Sequence, residues 1–377
     1  MNVTQGPTQF STHLDAELRR VDPDAFADDL KPGTQLLDGQ YTIIGFLNSG
    51  GFGITYLAKD SLDRTVVIKE CFPNALCRRS NAIVRARSRK HQGELRSFVE
   101  NFVDEARSLA RLVHPNIVGV HQVFQDNDTA YMAIDFINGR DLHDILESSD
   151  QPFTPEEIVT MLKKMLSAVE FIHQVGILHR DISPDNILID KTGNPILIDF
   201  GAASEQVARA TRVLTGRRVI KEGYSPQEFY LSGADQSPSS DLYSLAATFY
   251  HLISGKAPPE SPRRLARVAE GDADPYEPLE GRFEGYPKGF LALIDRAIAV
   301  LPKNRIQQAG DWLEGIRQAE AGEEPQGAVE HAAEAAAHDG TRAQPEPGFL
   351  GRNPGVLVGA GAVGLVLVLA GLWALLL

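Results

Sequence analysis

The sequence predicts an α+β fold followed by a single C-terminal transmembrane helix. Short runs of apolar and β-branched residues, typical of strands, concentrate between residues 41 and 136. Apolar residues at helical spacing dominate residues 154–174 and 242–253. The last 23 residues, Gly355–Leu377, carry no charge at all. These three observations predict a small sheet region, a mainly helical region and a membrane segment, in that order.

The composition excludes several classes of protein. Hydrophobic residues make up 43% and charged residues 23% of the 377-residue chain, which is ordinary for globular domains. The formal net charge of −13 argues against a nucleic-acid-binding surface over the whole protein. Two cysteines, Cys71 and Cys77, are too few for a disulfide framework, and no Cys/His cluster has zinc spacing. The first residues lack the pattern of a secretory signal peptide.

The most informative segment runs from residue 179 to 201, HRDISPDNILIDKTGNPILIDFG. It holds Asp181 and Asp199 at a fixed separation, with Asn186 between them. Two short apolar strands joined by a turn at Gly193–Asn194 would carry these groups on one hairpin. One carboxylate can orient an incoming hydroxyl, while a second carboxylate and an amide oxygen hold magnesium on nucleotide phosphates. The segment therefore predicts phosphoryl transfer, with Asn186 and Asp199 as metal ligands.

HRD-x-x-x-x-N followed by DFG resembles the catalytic core of protein kinases. The resemblance covers roughly residues 37–318, and the chain is identified as a member of the bacterial eukaryotic-like (Hanks-type) serine/threonine kinases. It implies a two-lobed protein-kinase fold, with an N-lobe over residues 37–137 and a C-lobe over 138–318. It also implies γ-phosphoryl transfer from ATP, with Mg²⁺ or Mn²⁺, to serine or threonine hydroxyls of protein substrates. Asp181 would orient the accepting hydroxyl.

Residues 48–53 resemble the kinase glycine-rich loop between strands over Tyr41–Phe46 and Ile54–Ala58. Glycines there let backbone N–H groups approach phosphates, and Phe52 would cover them. One departure is Asn48 in place of the first glycine, although asparagine tolerates a left-handed backbone. The nucleotide-binding residues predicted in this loop are Asn48, Ser49, Gly50, Gly51, Phe52 and Gly53.

Lys69 ends an apolar strand, and in the family this lysine contacts the nucleotide phosphates and pairs with a helix glutamate, here Glu105. The alternative is a strand-end lysine that reaches solvent. The hinge between the lobes would present backbone groups of Asp135 and Ile137 to adenine. Asp141 matches the ribose-binding acid and can also cap the helix that follows it. The floor of the adenine site would be Leu188, and Ile134 would be the gatekeeper.

Residues 71–97 form a long connection rich in arginine. Its opening, KECFPNALCRR, is similar to a bacterial subgroup of serine/threonine kinases. The basic residues, here treated as the segment 78–96, either bind an acidic partner, a phosphosite or anionic lipid, or form a solvated loop. Both alternatives stay open from the sequence.

After the DFG motif, Thr211 and Thr215 lie among arginines and are candidate autophosphorylation sites that would pair with Arg180. Further along, the resemblance predicts that Glu228 pairs with Arg305. It also predicts that Asp241 holds the backbone of the HRD turn; the alternative for Asp241 is a simple helix N-cap.

Serine/threonine kinases usually have lysine two residues after the HRD aspartate, where this chain has Ser183. This departure leaves a second hypothesis open, a catalytically impaired pseudokinase that acts as a nucleotide-sensing scaffold. Counting back seven residues from Glu228 reaches Lys221, where the family usually has threonine. In the family these two positions are neighbours. The exchange therefore predicts that Lys221 supplies the missing charge, with a solvent-facing lysine as the alternative.

The two ends of the chain differ from its centre. Residues 1–36 read as a polar, acidic leader with a helix around Ser11–Arg20. Residues 319–354 are rich in Ala, Glu, Gly and Pro and predict a flexible linker. As a helix, Gly355–Leu377 would span about 35 Å, enough for a bilayer core. Arg342 and Arg352 precede it, so we expect a single-pass, tail-anchored protein with a cytoplasmic kinase domain.

Overall fold

The computed structural model describes residues 28–148, 153–200, 220–231 and 233–323. The first lobe is built on a six-stranded antiparallel sheet in the order β1-β2-β3-β4-β8-β7. Alternation along β4 divides its residues between the two faces of the sheet. Val67 packs toward the core shared with the second lobe, and Ile68 belongs to a separate cluster on the opposite face. The six strands are β1 (Gln35–Leu36), β2 (Tyr41–Ser49), β3 (Gly53–Asp60), β4 (Thr65–Cys71), β7 (Val120–Asp126) and β8 (Thr129–Asp135).

The connection after β4 is structured. It forms a hairpin of β5 (Cys77–Ser80) and β6 (Ile83–Ala86), followed by α1 (His91–Leu109). Cys77 and Val84 of the hairpin join the apolar cluster on the outer sheet face, with Tyr56 and Tyr131. The long connection over residues 71–97 therefore contains a hairpin whose inner face buries apolar side chains against the sheet.

The second lobe is mainly helical. Its core forms where α3 (Pro155–Gln174) and α5 (Pro238–Ser254) pack against each other. Helix α8 (Ala309–Glu320) packs on α3. Thr154 caps α3 through a capping box with Glu157. A three-stranded antiparallel sheet, β9 (Gly139–Asp141), β10 (Ile187–Asp190) and β11 (Pro195–Leu197), lies beside the helices. The helices are α2 (Leu142–Glu147), α3 (Pro155–Gln174), α4 (Gln227–Tyr230), α5 (Pro238–Ser254), α6 (Ser261–Ala269), α7 (Phe290–Ala297) and α8 (Ala309–Glu320).

Helix α8 continues two residues past the predicted domain boundary at residue 318. The predicted leader helix over 11–20 and the transmembrane segment over 355–377 lie outside the described residues. Among the helices of the described ranges, none combines the length and apolar character that crossing a bilayer requires. The membrane anchor therefore remains a prediction.

Candidate active site

The catalytic turn is held in place by a buried carboxylate. Asp241, in the first turn of α5, accepts hydrogen bonds from the backbone N–H groups of His179 and Arg180, both at 2.8 Å. The Nε2 atom of His173 lies 2.8 Å from the same carboxylate. Burial would raise the pKa of Asp241, but these donors outweigh it and hold the pKa below its ordinary value. The predicted role of Asp241 is confirmed; Ser237, rather than Asp241, is the N-cap.

Asp181 is presented by this turn with a fixed side chain. Asn186 Nδ2 donates to Asp181 Oδ2 at 2.9 Å and to the Asp181 carbonyl at 2.6 Å. Burial raises the pKa of Asp181 to about 6, against the opposing positive charge of Lys221. A carboxylate in this state is ionised at neutral pH and can accept a proton, as hydroxyl activation requires.

Lys221 contacts the catalytic loop, residues 179–186. It lies near the end of the activation segment, which runs from the DFG motif to Glu228. Its Nζ atom donates to Ser183 Oγ at 2.7 Å and to Asp185 Oδ2 at 2.6 Å, and lies 3.4 Å from Asp181 Oδ1. Ser183 Oγ in turn donates to Asp185 Oδ1 at 2.7 Å. The predicted proximity of positions 183 and 221 is confirmed. The ammonium group of Lys221 therefore lies beside Ser183, the position at which the family usually has a lysine.

Asp185 was not identified from the sequence, although it follows Ser183 by only two residues. Burial would raise its pKa, but the charge of Lys221 and hydrogen bonds from Lys221 and Ser183 lower it below the ordinary value. Asp185 is therefore a charged anchor for Lys221.

The backbone of Lys221 is also fixed. Its N–H donates to Ser225 Oγ at 2.9 Å, and its carbonyl accepts from the Ser225 N–H at 2.9 Å. Three residues on, Glu228 forms the predicted ion pair with Arg305, at 2.6 and 3.1 Å, in a buried position. The end of the activation segment is thus attached to the second lobe, which keeps Lys221 beside the catalytic loop.

Lys69 has a different partner from the one predicted. Its Nζ atom lies 2.8 Å from Asp199 Oδ1, and no ion pair joins it to Glu105, both residues being within the described ranges. Burial and the charge of Asp199 raise the pKa of Glu105 to about 7, despite the charge of Lys69. In the structure the predicted pair Lys69–Glu105 is replaced by the pair Lys69–Asp199. Beneath this pair a small cavity, lined by both residues, extends to Ile134 and Phe200.

The glycine-rich loop forms the predicted hairpin end between β2 and β3. Gly50 N–H donates to the Gly53 carbonyl at 2.9 Å, and Asn48 and Ser49 pair with β3. Gly50 and Gly51 are exposed, so their backbone is accessible to phosphates. The ring of Phe52 packs on Phe98 of α1, with ring centroids 5.9 Å apart, rather than covering the loop. The aromatic contact with α1 buries apolar surface that a cover over phosphates would leave in water.

The hinge region is clamped at its first residue. The Asp135 carboxylate accepts from the Gly119 N–H at 2.9 Å and lies 2.9 Å from His121 Nε2. A Cβ atom at position 119 would lie too close to Asp135 Oδ2, so a larger residue there would force this carboxylate to move. No motif in the sequence pointed to this pair of contacts. Ile137, the second predicted hinge residue, is half-buried against the main core.

Asp141 lies directly opposite Leu188 in the register of β9 and β10. This places the predicted ribose-binding acid beside the predicted floor of the adenine site. Close approach of these strands depends on Gly139, where a Cβ atom would collide with the backbone of Ile189. Asp141 also caps α2 by accepting from Asp144 N–H at 2.7 Å, so its second predicted role is confirmed.

Asn186 and Asp199 suit a magnesium ion. Because Asn186 Nδ2 donates to Asp181, the amide oxygen is directed away from that residue and available. Asp199 has a carboxylate that is 44% exposed. Magnesium is typically bound by one or two such oxygen ligands together with nucleotide phosphates. The described ranges contain no group of three or more His, Cys, Asp or Glu arranged for a metal.

Comparison with known proteins agrees with this geometry. A family model described as "Protein kinase domain" matches residues 41–310. Serine/threonine-protein kinase PknA of Mycobacterium tuberculosis is 29% identical over 295 residues, covering 77% of this chain and 63% of PknA. Serine/threonine-protein kinase PrkC of Bacillus subtilis is 28% identical over 285 residues, covering 75% of this chain and 41% of PrkC. This chain thus matches less than two thirds of the length of either relative.

Among solved structures, "PpkA-294 apo form" superimposes with a TM-score of 0.65 and 34% sequence identity. The match covers 77% of this chain and 99% of that one. At this identity and coverage, the likeness extends over both lobes.

Proposed function

This chain belongs to the protein kinase family, and we propose that it is an active serine/threonine kinase that transfers the γ-phosphoryl group of Mg-ATP to protein hydroxyls. The family uses ATP and a divalent metal, and the relatives described above carry the name serine/threonine-protein kinase. The activity, the choice of magnesium and the protein substrates of this chain are part of the proposal.

The observation that carries the proposal is the arrangement of Asn186 and Lys221 around Asp181. Asp181 is oriented by Asn186 Nδ2 at 2.9 Å, and Lys221 supplies a positive charge 3.4 Å away. Asp181 would orient the substrate hydroxyl and accept its proton, while Lys221 would stabilise the negative charge on the transferred group. A magnesium ion held by Asn186 and Asp199 would neutralise phosphate charge.

Nucleotide binding requires Lys69 to change partners. In the structure Lys69 neutralises Asp199 at 2.8 Å. A cation held by Asp199 would compete with Lys69 for this carboxylate, which would leave Lys69 to contact the nucleotide phosphates and Glu105. The pair Lys69–Asp199 therefore keeps two catalytic charges compensated before nucleotide binds.

The competing function is a pseudokinase, which Ser183 favours. The two are separated by incubating the full chain with γ-labelled Mg-ATP and a general protein substrate. We expect incorporation of label, and loss of at least a hundredfold in the Asp181→Asn variant, because a positioned base contributes about 10²–10⁴ in rate. Equal, background-level labelling of both forms would support the pseudokinase.

We place the kinase domain on the cytoplasmic side of a membrane, anchored by Gly355–Leu377. The support is the charge-free run of 23 residues and the arginines that precede it. Truncation at about residue 350 should move the protein from the membrane to the soluble fraction. Membrane retention of the truncated form would contradict the anchor.

Phosphorylation of the activation segment is the proposed control. Thr211 and Thr215 lie outside the described residues, between the DFG motif and Lys221. A phosphate on either could pair with Arg180, which adjoins Asp181, and order the segment that delivers Lys221. Mass spectrometry should find one of these threonines modified, and the Thr211→Ala/Thr215→Ala variant should lose activity; full activity of that variant would refute this control.

A further inference from the structure

The exposed face of the β5–β6 hairpin carries unbalanced positive charge. Arg78 and Arg85 are directly opposite each other in the hairpin register, and both are exposed. Between residues 74 and 96 the single acidic residue is Glu94, in a chain whose 50 acidic residues outnumber its 37 basic ones. We call the six exposed cations of this segment the basic surface: Arg78, Arg85, Arg87, Arg89, Lys90 and Arg96.

The basic surface has no acidic partner in the described part of the chain. None of its six side chains forms an ion pair there; Arg87 donates to the carbonyl of Asn74 at 2.9 Å. Like charges directly opposite on two strands are destabilising. A merely solvated surface would instead mix both signs. The arrangement retains a local cost that binding to a polyanion would offset.

The surface is mounted rigidly. On the opposite face of the hairpin, Arg79 forms a buried ion pair with Glu70, and Cys77 and Val84 pack in the outer cluster. The hairpin also donates from Val84 N–H to the Asn127 carbonyl at 2.8 Å, in the turn between β7 and β8. Rigid support limits the entropy lost when such a surface binds.

We propose that the basic surface binds the anionic headgroups of the membrane to which the chain is anchored, an inference that rests on the proposed anchor. Each basic residue close to an anionic leaflet contributes about 1 kcal/mol, or roughly fivefold in a binding constant. As a flexible coil, the linker predicted over residues 319–354 would have an end-to-end distance of roughly 30 Å, so the tethered domain would meet the membrane at high effective concentration. Acidic proteins in solution have no such advantage.

The test places a fluorescent donor at the hairpin tip of the full chain. Ser80 is exposed, so Ser80→Cys can be labelled selectively because burial raises the pKa of both native thiols, that of Cys77 to about 12. The labelled chain is reconstituted in nanodiscs of phosphatidylcholine, with or without phosphatidylglycerol, that contain a headgroup acceptor. Energy transfer then reports the distance of the hairpin from the membrane.

We expect higher transfer in discs that contain phosphatidylglycerol, reduced by high salt. Arg78→Glu/Arg85→Glu should lower the docked-to-undocked ratio by about thirtyfold or more. The matched control, Lys256→Glu/Lys303→Glu, makes the same charge change at exposed lysines of the second lobe and should leave transfer unchanged.

Transfer that is insensitive to headgroup charge would overturn the proposal, including the case in which the acidic leader of the same chain covers the basic surface. Copurification of the chain with the discs reports the anchor independently. If copurification fails, the anchor is wrong, and the labelled chain in micelles is added to phosphatidylglycerol vesicles instead. Binding there that is lost in Arg78→Glu/Arg85→Glu supports the basic surface, and its absence refutes it.

Discussion

Lys221 Nζ lies 2.7 Å from Ser183 Oγ, so the ammonium group usually supplied by the catalytic loop comes here from the activation segment. The hydroxyl and the charge have exchanged positions between two neighbouring backbone segments. Since phosphoryl transfer depends on positioning and electrostatic stabilisation, the location of the charge matters more than which segment carries it. Under the proposed mechanism, this charge acts on Asp181 only while the segment around Lys221 keeps the described position.

Asp185 should act as a positioning residue through Lys221. Asp185→Asn keeps the size of the side chain but removes the ion pair at 2.6 Å. We expect kcat to fall about tenfold, corresponding to roughly 1.4 kcal/mol, with little change in KM for ATP. In a Lys221→Ala background the same substitution should have no further effect. Additive losses in this double-mutant cycle would contradict the assignment.

The pH dependence of the reaction should report Asp181. Burial raises the pKa of this carboxyl to about 6, so the ionised form that accepts a proton is lost as the pH falls below that value. Lys221 opposes this rise, and Lys221→Met should therefore move the acidic limb of the kcat/KM profile to higher pH. The profile is measured for both proteins under matched ionic strength. An unmoved limb would show that Lys221 does not act on Asp181.

Nucleotide binding should release protons through Glu105. Burial and the charge of Asp199 raise the pKa of Glu105 to about 7. When Asp199 binds a cation and Lys69 turns to Glu105, that pKa falls. About half a proton should therefore be released near pH 7 and almost none near pH 9. Calorimetry of Mg-ATP binding in buffers of different ionisation enthalpy measures this release. If Glu105→Gln releases as many protons as the wild type, another group is responsible.

Adjacent arginines of the hairpin should differ sharply in their effect on stability. Arg79 has a side chain only 4% exposed and pairs with the fully buried carboxylate of Glu70. Arg79→Ala leaves that charge unpaired and should cost about 3–5 kcal/mol, a fall in melting temperature of roughly 10 °C. Arg78→Ala, on the exposed face, is the control and should change stability by less than about 0.5 kcal/mol. Equal effects of the two substitutions would contradict the assigned faces.

Linear motifs made much of the active site predictable. The relative positions of Asp181, Asn186 and Asp199 could be predicted because a tight turn and a short hairpin connect these residues. We located Lys221 by counting back from Glu228. This count succeeded because the buried Glu228–Arg305 pair attaches that segment to the second lobe. When residues are close in the chain, or when an ion pair holds their segment, the sequence alone is sufficient to predict which of them meet.

Features that depend on conformation or on distant packing could not be predicted. The partner of Lys69 depends on where Asp199 lies relative to β4, which is not a property of local sequence. The sequence of the β5–β6 hairpin shows no clear alternation of apolar residues. Arg79 faces inward because it forms an ion pair there with Glu70 of β4. Phe52 stacks on Phe98 of α1, and local sequence does not specify a contact between residues so far apart in the chain.

The relocated lysine is tested most directly by steady-state kinetics of the exchange pair. Lys221→Ala should lower kcat by about a hundredfold, equivalent to roughly 3 kcal/mol of transition-state stabilisation, with little change in ATP affinity. Ser183→Lys/Lys221→Thr, which restores the usual arrangement, should recover much of that loss. If Lys221→Ala turns over at the wild-type rate, the contact between Lys221 and Ser183 has no catalytic meaning.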